Sequence, residues 1–175
     1  ITAARAGTGL GDTTRKIGDF CVKLTRAAAD GYLAQNIVKA AEMSRCDFLE
    51  TTKLSMGCWV KSSTPNAARI AITDGATTTF SSYHTGGGAW EWLTVTHTVS
   101  ASATAIDAWL SVYNTASDAY FDGVTLVMSD IAPTQWQPCP KVSGTISWKV
   151  NGTVATGNGK DYYAFQRPAI VRDVQ

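Results

Sequence analysis

The side chains best suited to chemistry in this chain are aromatic. Six of its 175 residues are tryptophan, and Trp59, Trp90, Trp92 and Trp109 fall in runs where apolar and polar residues alternate. Such alternation sends successive side chains to opposite faces of a strand. By that parity Trp59, Trp109 and Tyr113 point away from the aliphatic face, while Trp90 and Trp92 share a phase just after Gly86-Gly87-Gly88. Flat rings on an outward face stack on the C–H-rich faces of sugars, and Asn, Gln, Asp and Arg nearby serve the hydroxyls. Tyr83 and His84, in the loop before the glycines, complete the set. Large outward aromatics are uncommon without a partner, so the set predicts a contact surface. A glycan or a packed protein neighbour would each use it, because protein interfaces also favour Trp and Tyr.

Catalytic chemistry is poorly supplied. Of the two histidines, His97 lies on the apolar face of its run and reads as a core residue, whereas His84 is placed by its loop to touch a ligand. No Gly-x-Ser-x-Gly elbow occurs. A glycosidase needs two carboxylates across a cleft, but 14 acidic residues always offer some pair, so that signal is empty. Gly7-Thr8-Gly9-Leu10-Gly11 neither follows a strand nor opens a helix, as a phosphate cradle must. The expectation is a protein that is not an enzyme. Its four cysteines, Cys21, Cys46, Cys58 and Cys139, lack the close pairs of a zinc site and permit more than one disulfide connectivity. Cys21 and Cys58 sit inside strand-like runs, where buried thiols acting as small hydrophobes are the simpler expectation.

These side chains are carried by short elements. The runs 19–25, 31–38, 54–61, 69–73, 77–84, 90–99, 106–113 and 119–128 read as strands separated by turn signals. In 54–61, Leu54, Met56, Cys58 and Val60 share one face. In 106–113, Ile106, Ala108, Leu110 and Val112 do the same. The run 119–128 is apolar on both faces, which predicts the centre of a sheet. Residues 39–52 fit either a short helix or a long connection. About eight antiparallel strands with apolar faces require two facing sheets, and the predicted fold is an all-β jelly-roll β-sandwich.

The predicted organisation is a sandwich over 1–129, with an irregular lead-in at 1–18. A proline-rich linker follows at 130–141, where Pro133, Pro138 and Pro140 each fix φ and remove a donor. Residues 142–175 form a small C-terminal β-hairpin, turning at Asn151-Gly152, and an extended arm. Asn151-Gly152-Thr153 also fits a glycosylation acceptor, but the turn explains it better. A lone hairpin is marginal in water, so this unit is expected to pack on the sandwich, on another copy or on a larger assembly. Charged residues are 17% of the chain and the net charge is +1, against about a quarter charged in ordinary soluble domains. Nothing there draws in nucleic acid or an acidic membrane, and no apolar run approaches the ~20 residues of a membrane span. The chain opens Ile1-Thr2-Ala3-Ala4-Arg5 without an initiator Met, which suggests a start after a cleavage or a boundary.

Five pieces taken in order carry a family resemblance. They are Gly18-Asp19-Phe20-Cys21-Val22-Lys23-Leu24, Gly31-Tyr32-Leu33-Ala34-Gln35-Asn36-Ile37, Met56-Gly57-Cys58-Trp59-Val60-Lys61, Trp90-Glu91-Trp92-Leu93-Thr94-Val95 and Ala119-Tyr120-Phe121-Asp122-Gly123-Val124-Thr125-Leu126. Over about Gly18 to Met128 the chain resembles the carbohydrate-binding-module-like (galactose-binding-like) jelly rolls, in the form found on bacteriophage structural proteins. The resemblance implies a structural Ca²⁺ at Asp122, with Asp19 or Asp12 from the early loop. It also implies an opening strand for which Ile1 starts too late, so that strand would be absent, supplied by another chain or replaced by the C-terminal unit. The function it implies is that of a non-catalytic virion component: a capsid decoration, tail or fibre protein. Its C-terminal arm would contact other virion proteins or copies of itself, and its sandwich would meet a cell-surface glycan. The alternative is a carbohydrate-binding module of a secreted polysaccharide-degrading enzyme.

Overall fold

The computed structural model describes residues 1–7, 14–45 and 47–136. The chain divides into two units, Ile1–Cys139 and Pro140–Gln175, and all described residues belong to the first. The hairpin and arm expected over 142–175 lie outside the described residues, as do Asp12, Cys46 and Cys139.

The fold is all-β. Its strands are β1 (Thr2–Ala6), β2 (Cys21–Arg26), β3 (Gly31–Val38), β4 (Lys53–Ser62), β5 (Ala68–Thr73), β6 (Thr78–Phe80), β7 (Trp90–Thr98), β8 (Ile106–Val112) and β9 (Ser117–Met128). Between β3 and β4 the ambiguous stretch forms two short 3-10 segments, Ala40–Arg45 and Asp47–Leu49. One sheet runs β1-β2-β9-β4-β7 and the other β3-β8-β5-β6, with every pairing antiparallel. From β2 on the chain crosses between the sheets at every step except the β5–β6 hairpin, which stays in one sheet, giving the interleaved order of a jelly roll. As its two-sided apolar pattern predicts, β9 lies inside a sheet, between β2 and β4.

One core joins the two sheets. Leu54, Met56, Cys58 and Val60 of β4 meet Ile70 and Ile72 of β5, Ile106 and Val112 of β8, and Phe121 of β9. These side chains supply most of the driving force, at roughly 1.5–3 kcal/mol for each fully buried aliphatic or aromatic group. Cys58 is wholly buried, and burial pushes its thiol far above the ordinary range. Cys21 is also buried, its thiol donating to the Thr14 carbonyl at 3.2 Å.

Three expectations need correction. The lead-in at 1–18 contains a strand: Thr2–Ala6 pairs with β2 from Thr2↔Thr25 to Ala6↔Cys21. A strand ahead of β2 therefore exists within this chain. It went unseen because an exposed edge strand, Thr-Ala-Ala-Arg-Ala, buries nothing and shows no period. The polar strand expected over 77–84 shortens to β6, and residues 81–89 are irregular, although the Ser81 and His84 amides still donate to Ile70 O and Ala68 O of β5 at 2.9 Å. The expected linker at 130–141 is, over 130–136, not a free spacer. Ser55 Oγ donates to Ser129 O at 2.7 Å and Trp92 Nε1 to Pro133 O at 2.6 Å, tying the chain back onto the sheet it has just left.

Candidate functional site

Register divides the predicted aromatic set between the two outer faces. On the five-stranded sheet Trp59 of β4 pairs with Trp92 of β7, and Lys61 with Trp90. Trp59 and Trp92 meet edge to face at 5.4 Å. Gly57 makes room for this pair, since a Cβ there would overlap Trp92 Cζ2 and lie 3.0 Å from Pro133 Cγ. The chain itself roofs this face. Lys16 Nζ sits 4.4 Å from the Trp59 ring centroid, and the Pro133 carbonyl caps the Trp92 indole. Trp59, Trp90 and Trp92 are accordingly half-buried.

Asp122 belongs to the same roof. Its Oδ2 accepts from the amides of Lys16 at 2.9 Å and Ile17 at 2.7 Å, and its Oδ1 from Gly123 at 2.7 Å. Asp19 is paired with Arg15 at 3.2 Å. These surroundings do not fit the predicted Ca²⁺. That ion takes about six to eight oxygens, whereas Asp122 is surrounded by N–H donors that already answer its charge. No group of at least three His, Cys, Asp or Glu capable of holding a metal occurs among the described residues. The physical role of Asp122 is to bind the 16–17 segment at the β9 bulge, where Gly123 takes a φ of 59°.

His84 also departs from expectation. Its loop position predicts reach to a ligand, but the side chain is completely buried. Its Nδ1 accepts from Gly86 N at 2.8 Å, and its Nε2 lies 3.0 Å from Ala89 O and 3.4 Å from Glu91 Oε1. Glu91 in turn accepts from the Thr85 amide at 3.0 Å and from the Thr85 hydroxyl. Burial pushes the Glu91 carboxyl up, but the two Thr85 donors and the His84 ring outweigh it and hold the group below its ordinary value. His84 staples the glycine loop from inside. His97 is the buried core residue its parity predicts, 3.2 Å from Asp74 Oδ2 and 2.9 Å from the Thr79 hydroxyl.

Among the described residues, no segment roofs the outer face of the four-stranded sheet. Its pairings stack into three outward rows: Tyr32–Ser111–Arg69, Ala34–Trp109–Ala71–Phe80 and Asn36–Asp107–Thr73–Thr78. Tyr32 lies flat on Trp109, with centroids 3.9 Å apart and planes 9° from parallel. The Arg69 guanidinium sits 3.7 Å from the Phe80 centroid, 4.5 Å from Tyr83 and 4.7 Å from Tyr113. At the far end Asn36 Nδ2 donates to Asp107 Oδ1. Tyr32 remains 47% exposed.

Polar accounting marks the same face. Buried side-chain N and O atoms are normally paired. Among the described residues five are buried without a hydrogen-bond partner, and three of them, Arg69 Nε, Trp109 Nε1 and Ser111 Oγ, belong to this face. Of the predicted set, the sheet unites Trp109, Tyr113 and Tyr83. Sequence reasoning missed Tyr32, Arg69, Phe80, Asn36 and Asp107. Parity could have raised Arg69, which precedes the inward Ile70 and Ile72. The pairing of β3 with β8 that brings Tyr32 onto Trp109 leaves no trace in local sequence.

Fold and faces together define the class: an all-β jelly-roll sandwich with one outer face roofed by its own chain and the other aromatic and, among the described residues, uncovered. No protein-family model matches the chain, and no curated protein matches it. Among solved structures it is similar to the enzymatically active domain of bacteriophage CBA120 tailspike protein 4, with 13% identity and a TM-score of 0.48 over 71% of this chain. The chain spans only 19% of that tailspike chain. It is also similar to the CBM22-1 xylan-binding domain from Paenibacillus barcinonensis, with 11% identity, a TM-score of 0.49, and 74% of this chain and 83% of that one covered. A third likeness is to TmCBM61 in complex with β-1,4-galactotriose, with 13% identity, a TM-score of 0.46, and coverage of 73% and 88%. Similarity at this level concerns the fold and says nothing of the residues on either face.

Proposed function

We propose that this chain is a non-catalytic glycan-binding module that works through the outer face of its four-stranded sheet. One observation carries the reading: the Tyr32–Trp109 stack is flanked on one side by the Asn36–Asp107 pair and on the other by Arg69 among its rings. A sugar ring buries its C–H face on an aromatic surface while its hydroxyls exchange water for side-chain amide, carboxylate and guanidinium partners. The mechanism is contact. Both histidines are buried and occupied inside the protein, away from this face. In the setting that the sequence resemblance implies, a bacteriophage particle, many copies of one weak sugar contact add up to firm attachment.

Affinity electrophoresis in gels holding soluble polysaccharides, followed by calorimetry on the best ligand, tests this. Trp109→Ala and Tyr32→Ala should each weaken binding at least about tenfold. Trp92→Ala, on the roofed face, should retain it. Loss of binding in Trp92→Ala with retention in Trp109→Ala would place the glycan on the other sheet and overturn the reading.

A further inference from the structure

We infer that the open face selects glycans that carry a carboxylate, with Arg69 as the residue that reads it. This rests on the glycan-binding reading of that face and adds the charge class of the ligand.

Arg69 is an unusual occupant of a sugar platform. Phe80, Tyr83 and Tyr113 press around its guanidinium, all within 4.7 Å. Cation–π contact holds the charge in place, but it leaves the planar N–H edge without acceptors. Among the described residues the Arg69 side chain forms no ion pair and no hydrogen bond, and its Nε is buried and unpartnered. Asp30, which feels the charge of Arg69, is already paired with Arg26 at 2.7 Å and accepts the Asn114 amide at 2.9 Å.

The neighbours of Arg69 sharpen the point. Ser111 pairs directly with it across the sheet, and Trp109 stands in the next row. The two other unpartnered polar atoms of this face belong to these residues. A guanidinium can only donate, so a ligand that meets the half-buried Arg69 head must offer acceptors. Neutral sugar hydroxyls satisfy such a patch singly, whereas a carboxylate meets a guanidinium edge with two parallel bonds and an opposite charge. The acid of the face, Asp107, lies in the row of Thr73, four residues along β5 from Arg69. That is about 13 Å along the strand, beyond the ~8 Å screening length of physiological salt. At the Arg69 end the neighbouring acid, Asp30, is already paired with Arg26, and Asp107 stands at the other end.

The test uses oligogalacturonate, oligomannuronate and a sialyl-oligosaccharide, each beside its carboxyl-reduced form, which keeps the ring and replaces the carboxylate with an alcohol. Wild-type protein should bind at least one acidic form about tenfold or more above its reduced partner, as a charge-assisted hydrogen bond requires. That preference should shrink as NaCl rises from 20 to 500 mM. In Arg69→Gln the acidic-to-reduced ratio should fall toward one. Arg69→Lys keeps the charge without the fork, and should recover only part of the ratio. The salt series on the wild-type chain stands even if a substitution disturbs folding. Equal binding of acidic and reduced forms, with both lost in Trp109→Ala, would overturn the charge selection and leave the platform standing. A preference that survives Arg69→Gln would overturn the role of Arg69. No binding of any form or of any neutral polysaccharide would remove the platform reading and this inference together.

Discussion

Asp74 offers the sharpest test of how the sandwich holds its open face in place. It is fully buried where β5 turns toward β6. Its Oδ1 accepts from the amides of Ala76 at 2.9 Å and Thr77 at 2.6 Å. Its Oδ2 accepts from the Ser100 amide at 2.7 Å, across the connection from β7 to β8, and faces His97 Nε2 at 3.2 Å. Asp74→Ala strands the three amides at once and takes away the carboxylate that faces the His97 ring. Ala76 and Thr77 lie in an exposed turn, where water replaces the lost acceptor cheaply. The Ser100 amide and the His97 ring lie deeper, and each unmet group costs about 1–3 kcal/mol. The sum is about 3 kcal/mol, near the lower end of what breaking a buried charged pair costs. With a urea slope of about 1–3 kcal/mol per molar, the unfolding midpoint should fall by roughly 1–3 M. Urea titrations of wild type, Asp74→Ala and Asp74→Asn, followed by tryptophan fluorescence, measure this. Asn retains one acceptor oxygen and should fall between the other two. The same change should speed amide exchange in Thr78–Phe80, because the turn that carries Phe80 to the platform loses its anchor. An Asp74→Ala midpoint indistinguishable from wild type would refute the latch.

Two further outcomes follow from the same geometry. Burial pushes the carboxyls of Asp74, Glu91 and Asp118 up, but their hydrogen-bond donors outweigh it and hold all three below the ordinary values of 3.8 for Asp and 4.5 for Glu. The donors are the Thr77, Ser100 and Ala76 amides with His97 for Asp74, the Thr85 groups for Glu91, which the nearby His84 ring also favours by charge, and Lys23 with Thr25 for Asp118. As pH falls the unfolded chain takes up these protons first. The stability they contribute is therefore complete above the ordinary carboxylate values and lost as pH drops through the lower folded ones. Urea midpoints should be flat from about pH 7 to 5 and decline toward pH 3, and a midpoint that rises on acidification would contradict the assignment. Separately, Gly57→Ala should destabilise by about 1–3 kcal/mol, the usual cost of overpacking. Its new methyl displaces the Trp92 ring, so the fluorescence of the folded state should shift as well.

Much of this molecule is visible in its alternation. Leu54, Met56, Cys58 and Val60, or Ile106, Ala108, Leu110 and Val112, declare a buried face because a strand sends every second side chain the same way. That is enough for an all-β sandwich, for β9 inside a sheet, and for Trp59 and Trp109 pointing outward. The edge strand β1 escapes because exposed, small residues leave no such record. Parity also cannot tell a roofed outer face from an uncovered one, and so it groups Trp59 and Trp92 with Trp109.

Local sequence thus settles which side of its own strand a residue occupies, since that depends only on backbone geometry a few residues long. It cannot settle what lies across from it. His84 reads as a loop residue placed to touch a ligand and Asp122, through the resemblance, as a calcium ligand, yet His84 staples a loop from within and Asp122 binds the amides of Lys16 and Ile17, more than a hundred residues away. The stack of Tyr32 on Trp109 and the ring of aromatics around Arg69 arise where β3, β8, β5 and β6 come side by side. Strand order is set by how the whole chain closes its core, so only the tertiary structure decided which aromatic residues share a face and which of those faces stayed open.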